Sequence, residues 1–278
     1  MPELPEVEYE RKRLQRAMAG ARIRDVILRR ANLRYAFPSD FVRRLAGQRV
    51  RGVARRAKYL LAELGSGDVL LMHLGMSGSF RVVHRNTRER VPDEGRYNLH
   101  DHVIFEVSTG AIVVFNDPRR FGFMTLLAPG EVDTHATLGR LGPEPLAPRF
   151  DASALAKELR QRRTTLKAAL LDQRVIAGLG NIYVCEALHR ARLSPLRRAS
   201  TLTTQAGEPR PALNLLVQAI REVLKEAIRN QNRPGGDDDR FRVYDREGRR
   251  CPRRGCGGTI TRIVQGGRST FYCPVCQS

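Results

Sequence analysis

A chain of 278 residues, 41% of them hydrophobic, is long enough for two domains and a small appendage with real cores. Its 49 basic against 29 acidic residues give a formal net charge of +20, the electrostatic footprint of a polyanionic partner. No apolar run approaches the roughly 20 residues of a membrane span, so the chain is expected to have no membrane partner. Only five of the basic residues are lysine, and arginine suits bidentate phosphate contact, although a GC-rich coding bias produces the same skew. No basic amphipathic anchor stands out, which places an anionic membrane surface behind nucleic acid. The 6% aromatic content and the absence of tryptophan argue against a long stacking platform for single strands.

In chain order, residues 3–19 read as a helix. Pro5 fits the first turn, glutamates sit near the positive end, Val7, Leu14 and Met18 share a face, and Gly20 stops it. From about 21 to 128 the pattern turns to short strands. Tyr59–Leu64 and Val69–His73 flank Gly65-Ser-Gly67, and His102–Val107 and Ala111–Phe115 flank Ser108-Thr-Gly110; both read as hairpins. Strands at such spacing predict a sandwich or barrel. From 150 to about 230 the apolar period is helical: Leu155, Leu159 and Leu166, then Leu213, Leu216, Val217, Ile220, Val223, Leu224 and Ile228. The domains expected are 1–130, a linker at 131–149, a helical domain at 150–236 and a terminal module at 237–278.

The terminal module carries Cys251-x4-Cys256, sixteen intervening residues, then Cys273-x2-Cys276. Two close pairs at this separation fit four thiolates around one zinc ion, with a hairpin between them turning at Gly266-Gly267 and presenting Arg268 at its tip. No signal-peptide pattern opens the chain, so two disulfides are the weaker reading. Four thiolates leave no open position, which makes the zinc structural; no organic cofactor is expected. The chain opens Met1-Pro2-Glu3-Leu4-Pro5-Glu6. With Met1 removed, Pro2 presents a secondary amine, and α-amino groups titrate near ~8, leaving a nucleophilic fraction at neutral pH. Glu3 beside it is a candidate general acid, and Glu6 lies one turn on. Alone, these residues also suit an ordinary helix start.

The blocks Met1–Glu8, Ala57-Lys58-Tyr59-Leu60-Leu61, His73–Gly78, Asn116–Gly122, Gly178-Leu-Gly-Asn-Ile-Tyr183 and the cysteine module, in that order, resemble the bacterial formamidopyrimidine-DNA glycosylase family over essentially the whole chain. The resemblance implies an α+β multidomain protein: an antiparallel β-sandwich with a leading helix, a helix–two-turns–helix domain and a zinc hairpin. It implies a bifunctional glycosylase and abasic-site lyase that excises oxidised purines from double-stranded DNA in base-excision repair. Pro2 would attack C1′ and form an imine to the opened sugar, Glu3 would shuttle protons, and Lys58, on a strand, would contact the phosphate beside the lesion. β- and δ-elimination would follow. Met76, Arg119 and Phe121 match residues that fill the void left by an extruded nucleotide, a step costing a few kcal/mol. His73, Asn181 and Arg268 match DNA contacts, and Lys167 matches a further backbone-binding lysine.

Gly178-Leu-Gly180 lacks the third glycine of a dinucleotide fingerprint and reads instead as a tight turn aimed at a phosphate. Cys185 reads as a small buried helix residue; His84, His100, His102, His135 and His189 receive no role. The segment Pro234-Gly-Gly-Asp-Asp-Asp-Arg240, expected to read the flipped base, departs from the family pattern in its acidity, which leaves the choice among lesions open. Two rivals remain. One is the endonuclease VIII branch, which prefers oxidised pyrimidines and against which Leu4 and the complete trio argue. The other is a non-catalytic zinc-ribbon DNA-binding protein, which would leave Pro2, Glu3 and Lys58 idle. A monomer in the bacterial cytoplasm, associated with the nucleoid through DNA, is expected.

Overall fold

The structure, a computed structural model, describes residues 1–84, 97–231 and 241–278. The expected base-reading segment Pro234–Arg240 lies outside the described residues. The chain forms two compact units, Met1–Gly139 and Arg140–Ser278. No helix among the described residues is long and apolar enough to cross a membrane.

The first unit opens with helix α1, Leu4–Met18. Pro5 in its first turn lacks an N–H that the helix cannot use there anyway. Leu4, Val7, Leu14, Ala17 and Met18 are buried, and Gly20, at φ +81°, turns the chain out of the helix. Among the described residues eight strands follow: β1 (Ile23–Leu28), β2 (Val50–Arg56), β3 (Tyr59–Leu64), β4 (Val69–His73), β5 (Ser79–His84), β6 (Asp101–Val107), β7 (Ala111–Asn116) and β8 (Phe123–Leu127). A one-and-a-half-turn helix α2, Phe41–Leu45, sits between β1 and β2. The strands form two antiparallel four-stranded sheets, ordered β1-β6-β7-β5 and β2-β3-β4-β8.

Both predicted hairpins are present, and the alternation along their strands shows why they face as they do. Leu60, Ala62 and Leu64 on one sheet and Val103, Phe105, Val113 and Phe115 on the other enter a common core with Val7 and Leu14 of α1. Ile104, Ile112 and Val114, on the opposite face of their strands, form a separate small cluster. The helix α1 packs on strands of both sheets, so the chain's N-terminus is anchored to the sandwich core. The stretch 131–149, expected as linker, holds a single helical turn α3 (Glu131–Thr134) and a 3-10 turn at Leu138–Arg140.

The second unit contains helices α4 (Ala152–Leu159), α5 (Leu166–Leu171), α6 (Asn181–Ala191) and α7 (Pro211–Asn230), then hairpin β9 (Thr261–Gln265) and β10 (Arg268–Tyr272). Asp151 Oδ1 caps α4 by accepting the Ala154 N–H at 2.7 Å, and Pro211 starts α7. The predicted apolar face of α7 is buried from Leu213 to Leu224, with Ile228 half-buried at its end. Gly266 and Gly267 take φ +55° and +72°, the pair of left-handed residues a two-residue hairpin turn requires, and Arg268 pairs with Gln265 across it.

Candidate active site and cysteine centre

At the N-terminus, Glu3 precedes α1 and is 2% exposed, while Pro2 is half-buried. The Glu3 N–H donates to Glu6 Oε2 at 2.9 Å, and the Glu3 carbonyl accepts the Val7 N–H at 3.0 Å. Glu6 therefore fixes the backbone of Glu3 and, one bond away, the orientation of Pro2. One turn further, Glu8 accepts from Arg11 and from Arg55 Nε of β2 at 3.0 Å. Burial alone would raise the Glu8 carboxyl, but its bonds to Arg11 and Arg55 outweigh burial and hold it below the ordinary value. Arg55 Nη1 also donates to the Ala57 carbonyl at 2.9 Å.

Lys58 does not lie on a strand as expected. It occupies, with Ala57, the two-residue turn joining β2 to β3, because Ala57 takes φ +52° and so ends the ladder after Arg56. The turn leaves Lys58 half-buried at the hairpin tip. Tyr59, its neighbour, pairs with His73 across β3–β4, which brings Lys58 close enough to act electrostatically on the His73 ring. Burial first, then the charges of Lys58 and Arg34, push His73 down to about 4, so the imidazole is neutral at physiological pH. Its Nδ1 accepts the Gly75 N–H at 3.1 Å, which leaves the proton on Nε2. The ring stacks on Phe123 and lines a cleft of about 550 Å³ walled also by Arg34, Tyr35 and Tyr59.

Met76, on the β4–β5 loop, and Arg119 and Phe121, on the β7–β8 loop, are brought together by backbone contact between the loops. A Cβ on Gly75 would lie 2.3 Å from the Gly122 nitrogen and 2.3 Å from the Phe121 carbonyl carbon, so only glycine permits this approach. The Arg119 guanidinium lies 4.8 Å from the Phe121 ring centre. Met76 and Phe121 are 39% and 44% exposed, which excludes core packing as their role. Sequence reasoning missed what holds the loops. Asp117, fully buried, accepts from Ser77 Oγ at 2.5 Å and from the Gly122 N–H at 2.8 Å, while Ser77 Oγ accepts the Arg119 N–H at 3.1 Å.

In the second unit, Lys167 and Asn181 converge on the zinc hairpin. Lys167 is fully buried; its Nζ donates to the Ser269 carbonyl at 3.1 Å and to Thr270 Oγ1 at 2.6 Å. Asn181, at the start of α6 after the Gly178–Gly180 turn, donates from Nδ2 to the same Ser269 carbonyl at 2.9 Å. Both residues therefore fix the backbone beside Arg268, which is exposed at the tip. Glu186, another residue the sequence did not mark, accepts the N–H groups of Arg242, Val243 and Tyr244, each at 2.9 Å.

The four cysteine sulfurs of Cys251, Cys256, Cys273 and Cys276 all lie within 4.8 Å of one another, with Cys251–Cys276 at 3.9 Å and Cys256–Cys273 at 3.7 Å. Zinc–sulfur bonds of about 2.3 Å in a tetrahedron separate the sulfurs by about 3.8 Å, whereas a disulfide needs about 2.05 Å. The donors also fit: backbone N–H groups of Arg253, Val275 and Cys276 point at Cys251 and Cys273 sulfurs, as thiolates require. One structural zinc is the group this set holds. The fifth cysteine, Cys185, is buried on α6 against the module's core beside Val243, Ile260 and Phe271.

Comparison with known proteins agrees with this geometry along the whole chain. Residues 1–124 match the formamidopyrimidine-DNA glycosylase N-terminal domain, residues 141–235 the formamidopyrimidine-DNA glycosylase H2TH domain, and residues 248–278 the zinc finger found in FPG and IleRS. Proteins named formamidopyrimidine-DNA glycosylase from Bradyrhizobium sp. (strain ORS 278) and Rhodopseudomonas palustris (strain ATCC BAA-98 / CGA009) are 56% and 57% identical, with 100% of each chain covered. The solved structure of the Lactococcus lactis enzyme bound non-covalently to DNA with an abasic site superposes with a TM-score of 0.84 at 31% identity, covering 100% of both chains. A MutM complex with DNA containing carbocyclic 8-oxo-G gives 0.85 at 31%, again over both whole chains. The chain belongs to the formamidopyrimidine-DNA glycosylase family.

Proposed function

We propose that this chain performs the family's excision of oxidised purines from duplex DNA, including 8-oxoguanine, with Pro2 as nucleophile and Glu3 as proton donor. After removal of Met1, the Pro2 nitrogen is an amine of pKa near ~8, partly unprotonated at neutral pH. Attack at C1′ forms the N–C1′ bond as the glycosidic bond breaks and the base leaves with a proton. The attacking nitrogen gives up its proton, protonated Glu3 delivers one to O4′, and the C1′–O4′ bond breaks, which opens the sugar and leaves a cationic imine. That imine acidifies C2′, and β- then δ-elimination expel the two flanking phosphates. Water in place of the amine would stop at an abasic site, so the covalent intermediate couples base release to strand cleavage.

The void left by the extruded nucleotide is assigned to Met76, Arg119 and Phe121. Extrusion costs a few kcal/mol of stacking and pairing, and an apolar wedge, a cation and an exposed ring replace part of what is lost. Lys58, and His73 through its Nε2–H, are assigned to phosphates on the damaged strand. Asn181 and Arg268 are assigned to phosphates on the helical and zinc unit, with Lys167 holding Arg268 in register. The zinc supplies structure only. Domain boundaries at 130, 149 and 236 follow this division of labour, and a monomer in the cytoplasm, held near the nucleoid by its charge, fits it.

The observation that carries the reading is the N-terminus: Pro2 stands next to Glu3, which is 2% exposed and whose backbone N–H is held by Glu6 Oε2, an arrangement a plain DNA-binding module does not need. A duplex with one 8-oxoguanine opposite cytosine tests it. Wild type should release the base and leave phosphates on both sides of a one-nucleotide gap. Glu3→Gln should lose base release yet still cut preformed abasic DNA, and equal loss on both substrates would contradict the role given to Glu3.

A further inference from the structure

The imidazole of His189 meets the cysteine centre from α6, and neither the family blocks nor the cysteine spacing gives it a role. His189 is fully buried, and its Nε2 lies 3.4 Å from Cys251 Sγ. The contact is answered in the other direction: Arg253, inside the Cys251–Cys256 turn, donates from Nη2 to the His189 carbonyl at 2.5 Å. Side chain and backbone of one residue therefore clamp the knuckle that supplies two of the four sulfurs. His189 Nδ1 is buried with no hydrogen-bond partner among the described residues.

The tautomer follows from these contacts. With the proton on Nδ1, a buried donor would be orphaned and the Nε2 lone pair would face an anionic sulfur. With the proton on Nε2, the donor points at the thiolate and only an acceptor is left unpaired, the cheaper arrangement. Four thiolates on a divalent ion carry two negative charges in excess, in a site where Cys251 and Cys273 are 4% and 0% exposed. Each N–H directed at a sulfur disperses that charge and makes the thiolate a poorer target for protons and oxidants.

We propose that His189 is a positioning residue of the zinc centre, donating its Nε2–H to the Cys251 thiolate so that the metal is retained and α6 stays registered to the knuckle. The same helix starts at Asn181, which holds the Ser269 carbonyl, so α6 grips the module at the knuckle and at the hairpin. The two grips are eight positions apart, about 12 Å along the helix.

Two measurements on the zinc-loaded protein test this. Long-range 1H–15N spectra of wild type with labelled histidine should show His189 as the Nε2–H tautomer; an Nδ1–H tautomer overturns the proposal. Zinc release to excess chelator, followed with a chromogenic zinc dye, should be about tenfold faster in His189→Phe, which fills the volume without a donor, and near wild type in His189→Gln, which restores one. Thiol loss under dilute peroxide should follow the same order. If His189→Phe fails to give the wild-type circular dichroism spectrum, His189→Met takes its place as the donorless variant. A folded donorless variant that keeps zinc as well as wild type overturns the proposal, as does His189→Gln releasing zinc as fast as the donorless one.

Discussion

The Glu8 carboxylate and the Arg55 guanidinium meet at 3.0 Å, and through Arg55 the first turns of α1 are tied to the Ala57 carbonyl, next to Lys58. The proposed N-terminal nucleophile and the lysine assigned to the adjacent phosphate are thus carried on elements joined by one side-chain chain. Glu8→Gln should leave DNA affinity near wild type and lower single-turnover excision by about tenfold, the scale of a small misplacement of reacting groups. Unchanged excision with the bond removed would show that the two elements hold their positions without it. The sign with pH follows: Glu8 titrates lower in the fold than unfolded, so its contribution is present above the ordinary carboxyl value and is lost as pH falls through the folded one.

His73 gives the opposite kind of titration. Pushed to about 4 from an ordinary 6.5, it is neutral in the fold while the unfolded chain binds a proton between those values. Its contribution to stability is therefore complete above about pH 6.5 and declines as pH falls towards 4. Histidine NMR should show no titration of this ring between pH 6 and 8 and an Nε2–H tautomer throughout. A ring that protonates near 6.5 would mean that Lys58 and burial do not act on it as described.

Phe121→Ala should slow excision of 8-oxoguanine from duplex by about tenfold or more, out of an extrusion cost of a few kcal/mol, and slow cleavage at a preformed abasic site much less. The abasic substrate has no base to unstack. Asp117→Asn should mimic it more weakly, because an amide keeps one acceptor oxygen where the Ser77 hydroxyl and the Gly122 N–H use two. Equal impairment on both substrates would point to a folding defect instead.

Arg268→Ala, with zinc retained, should weaken binding to damaged and undamaged duplex alike and reduce the salt dependence by about one phosphate. Lys167→Met should also weaken binding, by releasing the Ser269 carbonyl, and in addition lower the stability of the second unit by about 1–3 kcal/mol. Loss confined to one lesion type would contradict both assignments.

Local order was legible wherever chemistry repeats along the chain. The alternation in Tyr59–Leu64 and His102–Val107 specified hairpins because one face of each strand enters a core, and Gly266-Gly267 specified the turn beside Arg268 because two left-handed residues are needed there. The cysteine spacing by itself specified a metal site. Contacts between distant residues were not legible. Ser77 and Asp117 are 40 positions apart, Glu8 and Arg55 are 47, and Lys167 and Thr270 are 103. Lys167 was matched to a lysine that binds the DNA backbone, and its complete burial against Ser269 and Thr270 of the hairpin has no signature in the sequence. Lys58 was expected on a strand because its neighbours are strand-like; the left-handed Ala57 that ends the strand has no sequence signature.

The central claim, that the N-terminal proline amine is the covalent catalyst, is tested most directly by borohydride reduction during reaction with a duplex carrying one 8-oxoguanine opposite cytosine. The trapped complex is digested and the modified peptide mapped by mass spectrometry. The DNA remnant should sit on Pro2 alone, and a preparation verified by intact mass to retain Met1 should give no adduct and no base release, because its proline nitrogen is an amide. An adduct on Lys58, or full activity in the Met1-retaining protein, would contradict the account.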